Sequence, residues 1–245
     1  MIHTILCADL SWSNLMADDD GSLDLTGLGK VAKAIPASSW NKIVKTACET
    51  FSQILAPLTS TMAGTGRLIQ AKFDGMVDVQ QVYAADALKR AKEKVEKSGR
   101  EPKQKPKSSV LINSITKASV ESDDNLRSIW ANLIANELLD NRVHPDFPNI
   151  LERLTSVDAV TLAQIGESSK SDIVKRIAHA SLFSLKIIGI YIAPLLEGQI
   201  TFSEEHLQNL NLIRKYSGLW KLTRTGEEFL KVVSDPSIEY IDIDG

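Results

Sequence analysis

Cysteine is scarce: Cys7 and Cys48 are the two in 245 residues, and no CxxC spacing occurs. A disulfide framework, a thiolate zinc site and a thioredoxin-like redox motif are therefore excluded, and a reducing cytoplasm is the expected compartment. Four histidines, His3, His144, His179 and His206, share no ligand spacing with one another or with the cysteines, so no metal or other cofactor is expected. Basic excess is missing too. The formal net charge of −3 provides no general attraction to nucleic acid or acidic membranes. Aromatic residues make up a low 6%. The most apolar window, 177–196, is broken by His179 and Lys186 and closes at Pro194, short of the ~20 clean residues of a spanning helix; it reads as a buried core element. The opening MIHTILCADLSWSNL lacks the basic start and apolar run of a secretory signal. There is no GxSxG, HExxH or GxxxxGK[ST], and Gly64-Thr65-Gly66 has Ile69 where GxGxxG needs its third glycine. An enzyme is the least supported class.

What is present is ordinary globular material, 43% hydrophobic and 24% charged, with an uneven charge distribution. Residues 1–29 hold five Asp and no Lys or Arg, whereas 89–107 hold nine basic and three acidic residues. That block could dock an anion, but charge runs of this length usually mark a solvated helix end entering a linker. Four segments follow: an acidic arm with long helices over 1–97, a linker over 98–107, a helical unit over 108–234, and an acidic tail over 235–245. Within the first, SSWNKIVKTACETFSQIL is read as a helix capped by Ser38 or Ser39 and stopped at Pro57. The long stretch after it ends at Gly99, with a bend near Gly75. Its small-residue part, Leu58–Phe73, suits helix packing or, as an alternative, a lipid surface.

LRSIWANLIANELLDNRVHPDF, 126–147, is the segment that comes nearest to chemistry. On a helix Leu126, Ile129, Trp130, Leu133, Ile134 and Leu138 form one apolar stripe, with Arg127, Asn132, Asn136 and Asp140 opposite and Glu137 at the border. The residue before Pro145 is pushed out of helical geometry, so Asp140 and His144 do not share a helical face. Asp146 then reads as the N-cap of FPNILERL rather than as a base. Asp123 and Asp124 suit the start of the preceding helix, and Thr155 or Ser156 suits the cap of VDAVTLAQIG. Beyond a further helix from Ser171, SEEHLQNLNLI reads as a helix capped by Ser203, GLWKLT as a strand and RTGEEFLKVV as a closing helix. Arg214, Lys215, Lys221 and Arg224, with Tyr216 and Trp220 between them, are candidate phosphate contacts. Acids in the adjacent SEEH and in Glu227 and Glu228 weigh against such contacts.

The run from Ser108 to Ile165 resembles the Abi-alpha family, linked by name to abortive infection. The resemblance is carried by DDNLRSIWANLIAN with Trp130, by the HPDF turn with His144, Pro145 and Phe147, and by ILERLTSVDAVTL with Leu154, Asp158, Ala159 and Leu162. LNLIRKYSGLWKLTRTGEEF is similar to the closing pattern of the family. These are packing and capping motifs, and they carry no catalytic residue across. The resemblance implies phage defence. The helical periodicity, with the closing order of helix, short strand and helix opened by a glycine turn, leads us to expect an all-α protein with a C-terminal winged-helix-like segment holding a short strand or hairpin. The expected mode of action is contact with a protein partner, or with a second copy of the chain. A membrane-acting effector and a DNA-binding regulator are the alternatives.

Overall fold

Helical periodicity dominates the structure, a computed structural model that describes residues 36–61, 63–102, 104–167, 174–175 and 197–238. The acidic arm, the window 177–196, the helix start at Ser171 and the end of the tail lie outside the described residues. The chain forms α1 (Ala37–Thr61), α2 (Ala63–Asp74), α3 (Asp78–Ser98), α4 (Ser108–Ala118), α5 (Asp124–Asp140), α6 (Phe147–Leu151), α7 (Ser156–Glu167) and α8 (Glu197–Asn209). An antiparallel hairpin of β1 (Ile213–Tyr216) and β2 (Leu219–Leu222) follows, and then α9 (Arg224–Val232). The described part is thus mainly helical with one small C-terminal hairpin, as expected.

α3 packs most extensively on α5 and on α1. Its buried face is Ala84, Ala85, Ala87, Leu88 and Ala91, small enough to let the backbones approach closely, and it meets Ala131 and Ala135 of α5 in one core. Phe51 of α1 and Phe73 of α2 stack with ring centroids 3.7 Å apart at one end of that core, and Phe229 of α9 is buried in it as well. The bend near Gly75 is the break between α2 and α3, and Gly99 ends α3 in the left-handed conformation that glycine adopts without steric cost.

Four local expectations need correction. α1 runs through Pro57 to Thr61; a proline in a helix interior removes one backbone bond and crowds the preceding turn, and here it does not end the helix. Ser38 and Ser39 lie inside its first turn, where the Pro36 carbonyl accepts from Ser39 N–H and Trp40 N–H. Ser203 is a buried residue within α8, because that helix starts six residues earlier, at Glu197. Asp146 occupies the position before α6, but its side chain makes no capping bond; its own N–H donates to His144 Nδ1 (3.2 Å). Elsewhere the caps are as read. Asp123 accepts from Asn125 N–H (2.8 Å) and Leu126 N–H (3.0 Å), and Thr155 and Asp158 cap α7 reciprocally.

Candidate functional site

α5 is buried nearly all round. The apolar stripe is as expected, with Trp130, Leu133 and Ile134 in the core, but Arg127, Asn136 and Glu137 are buried as well. On the polar side, Arg127, Asn136 and Glu137 are enclosed because each has a partner on another segment. Arg127 donates through Nε to Asp86 (2.9 Å), through its two terminal nitrogens to the Glu121 carbonyl (2.9 Å) and Asp124 (2.8 Å), and lies over the Tyr83 ring at 4.5 Å. Asn136 Nδ2 donates to the carbonyls of Val232 and Ser234 (2.9 Å each), and Asn132 Nδ2 donates to that of Val233 (2.8 Å). These carbonyls end α9, where no further turn of helix supplies donors, so two asparagines of α5 cap a helix a hundred residues away. Glu137 accepts from the backbone N–H groups of Lys107 and Val143.

The basic block is drawn into the same scheme. Arg90 pairs with Asp86 and Asp124, Lys94 with Asp235, and Arg100 with Asp140. Lys107 Nζ donates to the carbonyls of Asn141 (2.9 Å) and Val143 (3.0 Å). The described residues of 99–107 contain no helix, yet they are strapped to the end of α5.

These environments shift several carboxyls. Partial burial acts to raise Asp123, but donors from Leu126, Ser156 and Asn125 outweigh it and hold the group below its ordinary range. The Arg90 guanidinium holds Asp124 low. Burial acts against Asp235 too, and is outweighed by Ser237 and Lys94. Burial pushes Glu137 and Glu121 up despite their donors.

The carboxylate and histidine cluster does not converge. Asp140 faces Arg100, whereas His144 and Asp146 are exposed, 3.6 Å apart. Pro145 is exposed between them, and Phe147 turns inward to meet Phe229 edge-on at 5.4 Å. Leu154, Asp158, Ala159 and Leu162 are buried. Asp158 also receives a contact that was not foreseen, from His206 Nδ1 of α8 at 3.2 Å, which ties α7 to α8. No group of three potential metal ligands occurs among the described residues.

The hairpin is the opposite case. Its two-residue turn, Ser217 (φ 48°) and Gly218 (φ 83°), has positive φ at both positions, the geometry that suits the strand twist. The register sets Arg214 opposite Lys221, Lys215 opposite Trp220 and Tyr216 opposite Leu219. One face carries Ile213, Trp220 and Leu222 toward the core, with Lys215 over the Trp220 ring. The other face carries Arg214, Lys221, Tyr216 and Leu219, all exposed. Arg214, Lys215, Lys221 and Arg224 form no ion pair among the described residues, and Arg214 and Lys221 are like charges placed directly across the ladder. The sequence shows the four cations with Tyr216 and Trp220 between them, but neither Leu219 as part of the group nor the sorting of Arg214, Lys221, Tyr216 and Leu219 onto one face. The Ser-Gly turn between two short runs was the signal for that register.

The hairpin is seated by a close approach: a Cβ added to Gly226 of α9 would lie 2.0 Å from the Leu212 carbonyl oxygen. Gly226 N–H donates to Thr223 Oγ1 (3.0 Å), and Thr223 Oγ1 donates to the Asn211 carbonyl (2.6 Å).

No curated protein and no solved structure matches the chain. The family model described as "Abortive infection alpha" matches residues 83–233. This span opens at Tyr83, under the Arg127 guanidinium, and closes at Val233, whose carbonyl Asn132 caps. The matched unit is therefore the one that the α5 network holds together, and the chain belongs to the Abortive infection alpha family.

Proposed function

We propose that this chain is a cytoplasmic phage-defence protein of the abortive-infection kind, acting by contact with another protein rather than by catalysis. The observation that supports this reading is the contrast in side-chain use. The ionisable groups inside α5 are committed to holding elements together, whereas the outer face of the hairpin presents Arg214 and Lys221 with no carboxylate partner among the described residues, Lys221 lying over the exposed Tyr216 ring at 5.8 Å. We read α8, the hairpin and α9 as a winged-helix-like tail, a shape that serves protein docking as well as DNA binding. The DNA reading draws on Arg214, Lys215, Lys221 and Arg224, which form no ion pair among the described residues. Insertion of Leu58–Phe73 into lipid would require extracting Ile69 and Phe73, both about 1% exposed, from the core. No helix among the described residues is long and apolar enough to cross a membrane.

The test is phage plaquing and host survival with and without the gene. Reduced plaquing accompanied by arrest or death of infected cells is expected; equal plaquing across a broad phage panel would overturn the reading. His144→Ala should protect as well as wild type, because a contact mechanism makes no use of that exposed imidazole.

A further inference from the structure

We infer that the outer face of the hairpin is a docking surface for an acidic protein segment that presents carboxylates beside an apolar side chain. This inference rests on the contact-mediated reading above. Residues 207–226 contain four cations and no acid, in a chain whose net charge is −3. The register gathers half of those cations into one row, Arg214 beside Lys221, and places Tyr216 and Leu219 in the next row on the same face. Directly opposed like charges weaken a strand pair, so the row is a local cost to folding that an external anion would relieve. The apolar row is 58% exposed at Tyr216 and 68% at Leu219. Aromatic and arginine side chains are those that dominate protein interfaces, and an exposed leucine beside them adds apolar area for a partner to cover.

Charge complementarity calls for carboxylates or phosphates, and the extent of the patch decides between them. Each strand is four residues long, roughly 13 Å of backbone. The helices packed against the hairpin carry acids: Asp158 and Glu167 on α7, Glu204 and Glu205 on α8, and Glu227 and Glu228 on α9. A duplex presents charge continuously along its length, about one per 1.7 Å, and would extend past the patch toward those carboxylates. A short peptide with two carboxylates and a neighbouring Leu or Phe spans the two rows without reaching them. Leu219 is also matched by an apolar partner side chain, whereas a phosphate backbone provides nothing to cover it.

The experiment is fluorescence anisotropy of the full chain with a set of labelled ten-residue peptides. They combine Asp or Glu with Leu or Phe at several spacings, and matched Asn and Gln versions serve as neutral controls. A 20-base-pair duplex and a single strand of equal length are run alongside. The acidic peptides should bind in preference to both the neutral ones and the DNA, and binding should weaken as salt is raised. The double variant Arg214→Glu with Lys221→Glu, and separately Leu219→Ser, should each lose about tenfold in affinity. Lys215→Glu, on the face that carries Trp220, should lose less. Circular dichroism and melting curves on each variant confirm that the fold is kept.

Three outcomes overturn the inference: no acidic peptide binding better than its neutral version, tighter binding to either DNA than to any peptide, or equal peptide affinity in the charge-reversed variant. A folded charge-reversed variant that still protects cells as wild type does also overturns it, while leaving the defence reading intact. Conversely, peptide binding by a chain that gives no protection would remove the defence reading and leave the surface assigned.

Discussion

α5 and the C-terminal hairpin both carry arginine among apolar residues, but they use it in opposite ways. Arg127 is buried, and its guanidinium is engaged by two carboxylates, two carbonyls and an aromatic ring; Arg214 is exposed and faces another cation. Removing a partner from a buried set strands a charge or a dipole in a poorly solvated place, whereas removing an exposed cation leaves only water to fill the gap. The lesson is that polarity in this chain marks structure where long-range partners enclose it and marks a free surface where none do.

The largest effect expected is from Gly226→Ala. Its new Cβ would collide with the Leu212 carbonyl, backbone rather than a yielding side chain, so a loss of about 3 kcal/mol or more is expected in urea unfolding. A variant as stable as wild type would show that the hairpin can move away from α9 freely. Arg127→Met comes next, at about 2 to 3 kcal/mol, because it takes the donor from the Glu121 and Ser122 carbonyls and leaves Asp86 and Asp124 with Arg90 alone. Asn136→Ala should cost about 2 kcal/mol by uncapping α9, and hydrogen exchange should rise at the end of that helix before it rises in α3.

Acid should separate the two regions further. Asp123, Asp124 and Asp235 have depressed values, so their stabilisation is present above the ordinary carboxylate range and is lost as pH falls through the depressed values, below about pH 4. Glu121 and Glu137 have the opposite sign: raised values mean a cost at neutral pH that is relieved on mild acidification. Urea midpoints measured from pH 7 to pH 3 should therefore hold or rise slightly to about pH 5 and then drop, and Asp123→Asn should flatten the drop. The smallest effect belongs to the hairpin. Lys221→Glu should change stability by no more than about 0.5 kcal/mol, in the stabilising direction, because it converts a repelling cross-strand pair into an attracting one. A large loss there would mean that the exposed cations are structural after all and would erase the contrast with α5.

Much of the local architecture was legible in the chain. The apolar stripe of α5, the carboxylate at its start, the glycine ending α3 and a cap of α7 at Thr155 or Ser156 all depend on residues within a few positions of one another. A sequence displays such relations directly. The partners of Asn132 and Asn136, the carbonyls at 232–234, lie about a hundred residues away, so the sequence shows only that both sit opposite the apolar stripe. On a helical wheel an asparagine with a distant partner is indistinguishable from one facing water. The same holds for Glu137 with the Lys107 backbone and for His206 with Asp158. At the candidate site the cations were visible as residue types, but their sorting onto one face depends on strand register, which the Ser217-Gly218 turn sets.

Composition, spacing and short-range capping by themselves determined that this is a helical protein, that its signature segment is a core helix, and where most of its helices begin or end. Periodicity and backbone capping act over single turns and need no knowledge of the rest of the chain. Tertiary structure alone decided which polar groups became internal fastenings and which remained on the surface, because that depends on what packing brings opposite each of them. α3 brings Asp86 to Arg127, and α9 brings its open end to Asn132 and Asn136. Nothing among the described residues brings a carboxylate to Arg214 and Lys221, and so the positive face of the hairpin stays open.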